Sequence, residues 1–392
     1  MRRDPAVLFL AIGQTLAWAS IYYVFPALLL RWEQETGWSK TELTAAITLA
    51  VLISAAASPL AGRVIDWGHG PTLTAISSLL GGAGLLALSA VSELWQFYVV
   101  WAFIGLAMAG CLYEPIFALV TRARGAKARH GIIFITLIAG FASTISFPVV
   151  HTLSDLLGWR GTAQIGAAVM VFLVTPSLWT GVRLLERGSS EPTRPSRSAE
   201  TAKTFLRRPA FWFLALGFAT VAITHGATLH HLLPILDERG LSPELAVFAA
   251  SFIGPMQVAG RLAMMASERY LTNNAVALLA FACLGLSIVL LSASAASPAL
   301  LTAFVILFGG SYGTVSILRP LLAREILGQA SFGAKSGALA VPYLAASAAA
   351  PFVGALIWSL GGYDLMLGLA CGSVIIGGGL YWCSFRLADA GS

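Results

Sequence analysis

Twelve apolar runs, each near the twenty or so residues that carry a helix across a bilayer, leave this chain few ways to fold. Divided at charged, proline and glycine breaks, they lie near 6–30, 41–64, 71–92, 95–121, 131–154, 160–184, 209–236, 244–267, 273–294, 298–325, 336–358 and 363–386. Only 11% of the 392 residues are charged and 57% are hydrophobic, where a soluble domain carries about 25% charged residues. A soluble fold would leave too little polar surface to cover so large a core. The expected class is an all-α integral membrane protein with twelve transmembrane helices.

Internal repetition narrows this further. Leu60-Ala61-Gly62-Arg63 returns as Val258-Ala259-Gly260-Arg261, and Glu114-Pro115 as Arg319-Pro320. Gly158-Trp159-Arg160 returns as Gly362-Tyr363-Asp364, and Gly37-Trp38-Ser39 as Gly240-Leu241-Ser242. A period of about 200 residues exceeds that of solenoid repeats, so a domain has been duplicated. The expectation is two pseudo-symmetric six-helix bundles, residues 1–186 and 209–392, joined by a cytoplasmic linker at 187–208. That linker includes the polar, basic run Glu191-Pro192-Thr193-Arg194-Pro195-Ser196-Arg197-Ser198, which cannot bury enough apolar surface to fold alone. In an apolar chain, two similar halves suggest a transporter with its substrate site between them.

Lysine and arginine placement sets the expected orientation. With both termini in the cytoplasm, the outer loop ends hold four basic residues, Arg31, Lys40, Arg160 and Arg239. Arg261 and Arg319 lie within helices, and the other 18 of 24 fall at cytoplasmic ends. The net charge of +6 is thus explained by topology in the cytoplasmic membrane rather than by a nucleic-acid partner. The start, Met1-Arg2-Arg3-Asp4-Pro5, resembles a signal peptide, but the run behind it is long enough to be the first spanning helix. Cys111, Cys283, Cys371 and Cys383 lack metal-ligand spacing and read as buried free thiols, so neither a metal nor a cofactor is expected.

Twelve spans, a six-plus-six repeat and a basic central linker together resemble the major facilitator superfamily. The segment Gly62-Arg63-Val64-Ile65-Asp66-Trp67-Gly68-His69-Gly70 is similar to that family's loop motif, with His69 and Pro71 where basic residues usually follow. The resemblance implies that Asp66 caps a neighbouring helix or pairs with an arginine, as an anion at a helix's positive end can. Span five, around Ile138–Pro148, lacks the glycine-proline-glycine signature of drug:proton antiporters. Trp101 stands near where many proton-coupled members carry arginine. Gly37-Trp38-Ser39 and Gly260-Arg261 look most like the monocarboxylate and oxalate:formate porter group, whose span-eight arginine would match Arg261. The lysine that the exchanger carries in span eleven has no counterpart beyond Lys335 at the start of that span.

Ionisable groups in spanning helices are costly and usually functional. Three stand out, Glu114, Arg261 and Arg319. Arg261, with Gln257 one turn earlier, offers a planar fork of donors suited to a carboxylate; the other reading is a second copy of the Arg63 loop motif that holds helix ends. Glu114 and Arg319 occupy corresponding positions and are expected to act with Arg63 and Asp66 as a gate; the other reading is snorkelling at the inner interface. Gln14, Trp18 and Tyr22 share a helical stripe, as do Thr220, Thr224 and Thr228, then Tyr312, Ser316 and Arg319, then Tyr343 and Ser347. Converging, these would wall a cavity; singly, each would be helix contact. His225 is the candidate proton carrier.

Gly309-Gly310-Ser311-Tyr312-Gly313 matches a nucleophile-elbow pattern but sits in an apolar helix, so it reads as G-x-x-x-G close packing. No enzyme is expected, and without a Walker sequence transport would run on gradients. The expected function is secondary transport of a small organic anion, a monocarboxylate, with proton symport, by a monomer. Its expected binding residues are Arg261, Gln257, His225, Trp18, Tyr22, Tyr312 and Tyr343. The alternative is efflux of a hydrophobic or amphipathic compound.

Overall fold

The computed structural model describes residues 4–124, 128–187, 205–267, 269–328 and 332–389. These residues are helical nearly throughout, with no strand among them. The chain divides into two compact units, Met1–Pro195 and Ser196–Ser392. The polar run at 188–204, expected to be a linker, lies outside the described residues.

In the N-terminal unit, α1 (Pro5–Ile21) and α2 (Val24–Thr36) form one passage bent at Tyr22–Tyr23. Asp4 caps α1, its Oδ1 accepting from the Ala6 amide at 3.1 Å, and Pro5 supplies the fixed φ of a first helical residue. Next come α3 (Lys40–Asp66) and α4 (Gly70–Leu88). The fourth passage is α5 (Leu94–Cys111) plus α6 (Tyr113–Arg124), interrupted at Leu112, where ψ is −157°. The last two passages are α7 (Ala128–Ala139), α8 (Ala142–Val169), a π-helical turn Met170–Val174 and α9 (Thr175–Arg187). Gly158 inside α8, at φ 68°, separates passage five from passage six.

The C-terminal unit contains α10 (Pro209–Glu238), α11 (Pro243–Ser267), α12 (Asn273–Ser292), α13 (Pro298–Leu327) and α14 (Phe332–Asp389). A straight helix of 58 residues would run about 87 Å, far beyond the hydrocarbon core of about 30 Å. Gly361 and Gly362, the latter at φ 71°, break it into passages eleven and twelve. Twelve passages result among the described residues, as the apolar runs require.

Local chemistry explains one repeated motif. Gly37 ends α2 with φ 73°, and Ser39 opens α3 with a reciprocal capping box to Glu42. Gly240, at φ 74°, and Ser242, whose Oγ accepts from the Leu245 amide at 3.4 Å, repeat that turn before α11. Only glycine takes the left-handed position without strain.

Close packing explains another and corrects the alignment of the halves. A Cβ on Gly105 would strike the Ala50 backbone, and one on Gly309 would meet the Ile253 carbonyl at 2.7 Å. Gly260 and Gly313 likewise press on the backbones of Gly310 and Gln257. The glycines of α13 therefore do form a close-packed seam, as membrane helices use. The Ala50–Gly105 contact corresponds to Ile253–Gly309, and the helix starts Lys40 and Pro243 keep the same spacing of about 203 residues. Arg63 and Arg261 are only 198 apart. They are not structural mates: Arg63 is exposed in the last turn of α3, whereas Arg261 lies two turns inside α11 with 8% exposure.

Each unit also keeps an arginine–aspartate pair at the matching end. Arg31 pairs with Asp155, and Arg239 pairs with Asp364 at 2.6 Å. Lys40 is bound to Glu33 at 3.5 Å, while Arg160 donates to the Val91 carbonyl and covers the Trp159 ring.

Candidate functional site

One array of polar and aromatic side chains lies within the C-terminal unit. Phe308, Tyr312 and Arg319 fall on one face of α13 at i, i+4 and i+11, near three full turns. The His225 ring of α10 lies flat against Tyr312, with centroids 3.3 Å apart and planes at 6°. Phe308, one turn away, lies parallel to it at 4.9 Å. The Tyr312 hydroxyl is 2.9 Å from the Tyr343 hydroxyl of α14, and the Arg319 guanidinium sits 4.2 Å over the Tyr343 ring.

Two features of this array point outward from the protein's own bonding. Arg319 makes no hydrogen bond or ion pair among the described residues; its guanidinium lies over a ring face, which leaves in-plane N–H donors available. His225 Nε2 and Thr228 Oγ1, one turn apart and buried, have no hydrogen-bond partner among the described residues. Buried polar atoms left so usually serve a ligand, a proton or water.

Other expected residues separate into packing roles. Arg261 Nε donates to the Gly313 carbonyl at 3.2 Å, and Gln257 supplies the backbone against which Gly313 rests. Both face the α11–α13 seam. Two members of the threonine stripe pack on passage twelve: Thr224 Oγ1 meets Ser373 Oγ at 2.9 Å, and Thr220 packs on Gly377. His230 bonds its own helix at Gly226, and His231 bonds Tyr363 and the Pro351 carbonyl. Lys335, 1% exposed, donates to the Leu327 carbonyl at 2.6 Å and so caps the end of α13.

A second array lies within the N-terminal unit, at the break in passage four. The helix ends at Cys111, leaving its carbonyl unpaired, and the buried Gln14 Nε2 donates to it at 2.6 Å. Trp18 packs edge-on to Tyr22 at 4.8 Å and against Tyr113 at 4.8 Å. The buried Trp18 Nε1 has no partner among the described residues. Glu114 follows in the first turn of α6 and is exposed. Trp101 is fully buried among Phe25, Trp32 and Phe97. The side chain of Asp66 lies outside the described ones; its neighbour Ile65 accepts at its carbonyl from Arg122.

Phe308 and Tyr113 were not singled out by sequence reading. Each was visible as an aromatic residue one turn or one residue from a chosen one. Among the described residues no group of three metal-ligating side chains occurs.

Comparison with known proteins places this geometry in context. The pattern of the Major Facilitator Superfamily matches residues 10–334. Monocarboxylate transporter 12 of Xenopus laevis is 25% identical over 353 residues, covering 80% of this chain and 73% of that one. Monocarboxylate transporter 11 of Homo sapiens is 28% identical over 260 residues, 62% of this chain and 52% of that one. Among solved structures, a bacterial homologue of the human lysosomal transporter Spinster, inward-facing and unoccupied, aligns with a TM-score of 0.71 at 15% identity. That alignment covers 99% of this chain and 98% of the other, and shows a shared fold.

Proposed function

Because the chain belongs to the Major Facilitator Superfamily, we propose that it is a secondary transporter carrying a small monocarboxylate across the cytoplasmic membrane by alternating access. The observation that carries this reading is Arg319, a guanidinium with open donors held over Tyr343. A carboxylate is the natural occupant of such a fork. Tyr343 and Tyr312 add hydroxyls beside it, and His225 carries the proton that accompanies the anion. Trp18 and Tyr22 are proposed as substrate contacts in the aromatic array within the N-terminal unit. Arg261 and Gln257 hold the α11–α13 seam on which the site is built, and Glu114, Arg63 and Asp66 serve gating. The two relatives named as monocarboxylate transporters support this substrate class.

Uptake of a labelled monocarboxylate panel by proteoliposomes under an imposed pH gradient tests the proposal. A proton gradient directed inward, acidic outside, should drive uptake, and Arg319→Gln should reduce it at least about tenfold, the loss of one charge-assisted pair. Uptake indifferent to the gradient removes the proton. Export of an amphipathic compound that survives Arg319→Gln removes the carboxylate.

A further inference from the structure

At one end of the N-terminal unit, the turn between α3 and α4 and the last turns of α9 line an open groove of about 580 Å³. His69, Arg183 and Arg187 line it together with one acid among the described side chains, Glu186. The two helices meet at this point: a Cβ on Gly70 would lie 3.4 Å from Val182 and 3.0 Å from Glu186 Oε1. Trp179 lies beneath, with the Arg183 guanidinium 4.1 Å over its ring. None of these groups belongs to the arrays already described.

The polarity of both helices is graded away from the cavity. On α9, Trp179, Arg183 and Arg187 recur at four-residue spacing, so apolar ring gives way to charge along one face. Behind Trp179, Phe172 and Leu173 are 74% and 50% exposed. On α4, Thr72 lines the cavity, and Ile76 and Leu79 continue its face, 60% and 45% exposed. Two exposed apolar tracks thus run into one basic cavity, with a tryptophan at the junction. That sequence of acyl-compatible, interfacial and anion-binding surfaces has the form of a phospholipid.

We propose that this cavity binds the phosphate of an anionic phospholipid, whose acyl chains lie along the exposed tracks of α4 and α9. Charge complementarity selects the headgroup: among the described side chains two arginines stand against one acid, which favours a net negative lipid over a zwitterionic one. Arg183, fixed on Trp179, presents its fork to phosphate oxygens. The position agrees with the end of the chain where basic residues concentrate, which the charge bias assigns to the cytoplasmic leaflet. The site is independent of the transported substrate.

Native mass spectrometry of the full-length protein, titrated with phosphatidylglycerol or phosphatidylcholine, tests the proposal. Wild type should retain phosphatidylglycerol preferentially, and Arg183→Gln/Arg187→Gln should weaken that binding about 25-fold, from the contribution of two basic residues near a membrane surface. Arg183→Lys, which keeps charge but loses the fork on Trp179, should fall between them. Arg386→Gln removes an arginine over Trp382 in the other unit and should leave binding unchanged. The proposal is overturned by equal retention of the two lipids or by a preference that survives the double substitution. It is also overturned if inorganic phosphate displaces phosphatidylglycerol at equal concentration, which would make the cavity a soluble-phosphate site.

Discussion

The two units share a helical plan, yet their fourth passages carry opposite chemistry. In the N-terminal unit the passage breaks at Leu112, its last carbonyl is held by Gln14, and the exposed Glu114 follows. In the C-terminal unit the matching helix α13 runs unbroken, and Arg319 lies over Tyr343. The second passages differ as well, with Arg63 exposed at a helix end and Arg261 buried within one. Duplication accounts for the scaffold. Chemistry accumulates where the copies part.

The largest effect expected from probing this contrast concerns the glycines that look alike in sequence. Gly260→Val forces a side chain into the Gly310 backbone and should destabilise the protein by about 3 kcal/mol. Gly62→Ala meets nothing within 4 Å and should be neutral or stabilising by up to about 1 kcal/mol. Thermal unfolding in detergent measures both; equal sensitivity would restore the alignment that the packing rejects.

Next in size is the contrast between the two buried-helix arginines. Arg261→Gln removes a charge-assisted bond to the Gly313 carbonyl and should lower stability by about 2 kcal/mol, with uptake per folded molecule largely kept. Arg319→Gln should leave the melting temperature near wild type and abolish most uptake. If the two results are exchanged, the anion contact belongs to Arg261.

A smaller and more selective change is expected at His225. His225→Phe preserves the ring stack on Tyr312 but removes the imidazole proposed to carry the proton. Uptake should persist while its stimulation by an acidic exterior is lost. Stimulation at the wild-type level would shift proton coupling to Glu114. The smallest effects belong to the conserved plan itself: Arg31→Gln and Arg239→Gln each break one end-of-helix ion pair and should each cost at most about 1 kcal/mol.

The passages, the glycine–serine turns and the glycine seam were legible in the sequence because each depends on local chemistry. Apolar length, a left-handed glycine and a side-chain cap need no knowledge of distant residues. The register of α3 against α11 was not legible. Leu60-Ala61-Gly62-Arg63 and Val258-Ala259-Gly260-Arg261 look alike because small residues suit any close helix approach, but only Gly260 makes one. The packing of two threonines of α10 was not legible for a related reason. Helical period groups Thr220 with Thr224, and it cannot say that Ser373 and Gly377 of passage twelve occupy the space before them. The stack of His225 on Tyr312 spans 87 residues of chain and was visible only as two separate candidates.

The grip of His231 on both sides of Gly362 bears on how the C-terminal half comes together during synthesis. Its ring, on the first helix of that half, bonds the Pro351 carbonyl before the glycine turn and the Tyr363 hydroxyl after it. The earliest helix to emerge therefore waits for the final hairpin before its imidazole is fully engaged. A chain halted before residue 363 would leave the Tyr363 contact of His231 unmade, and only the last crossing completes the grip.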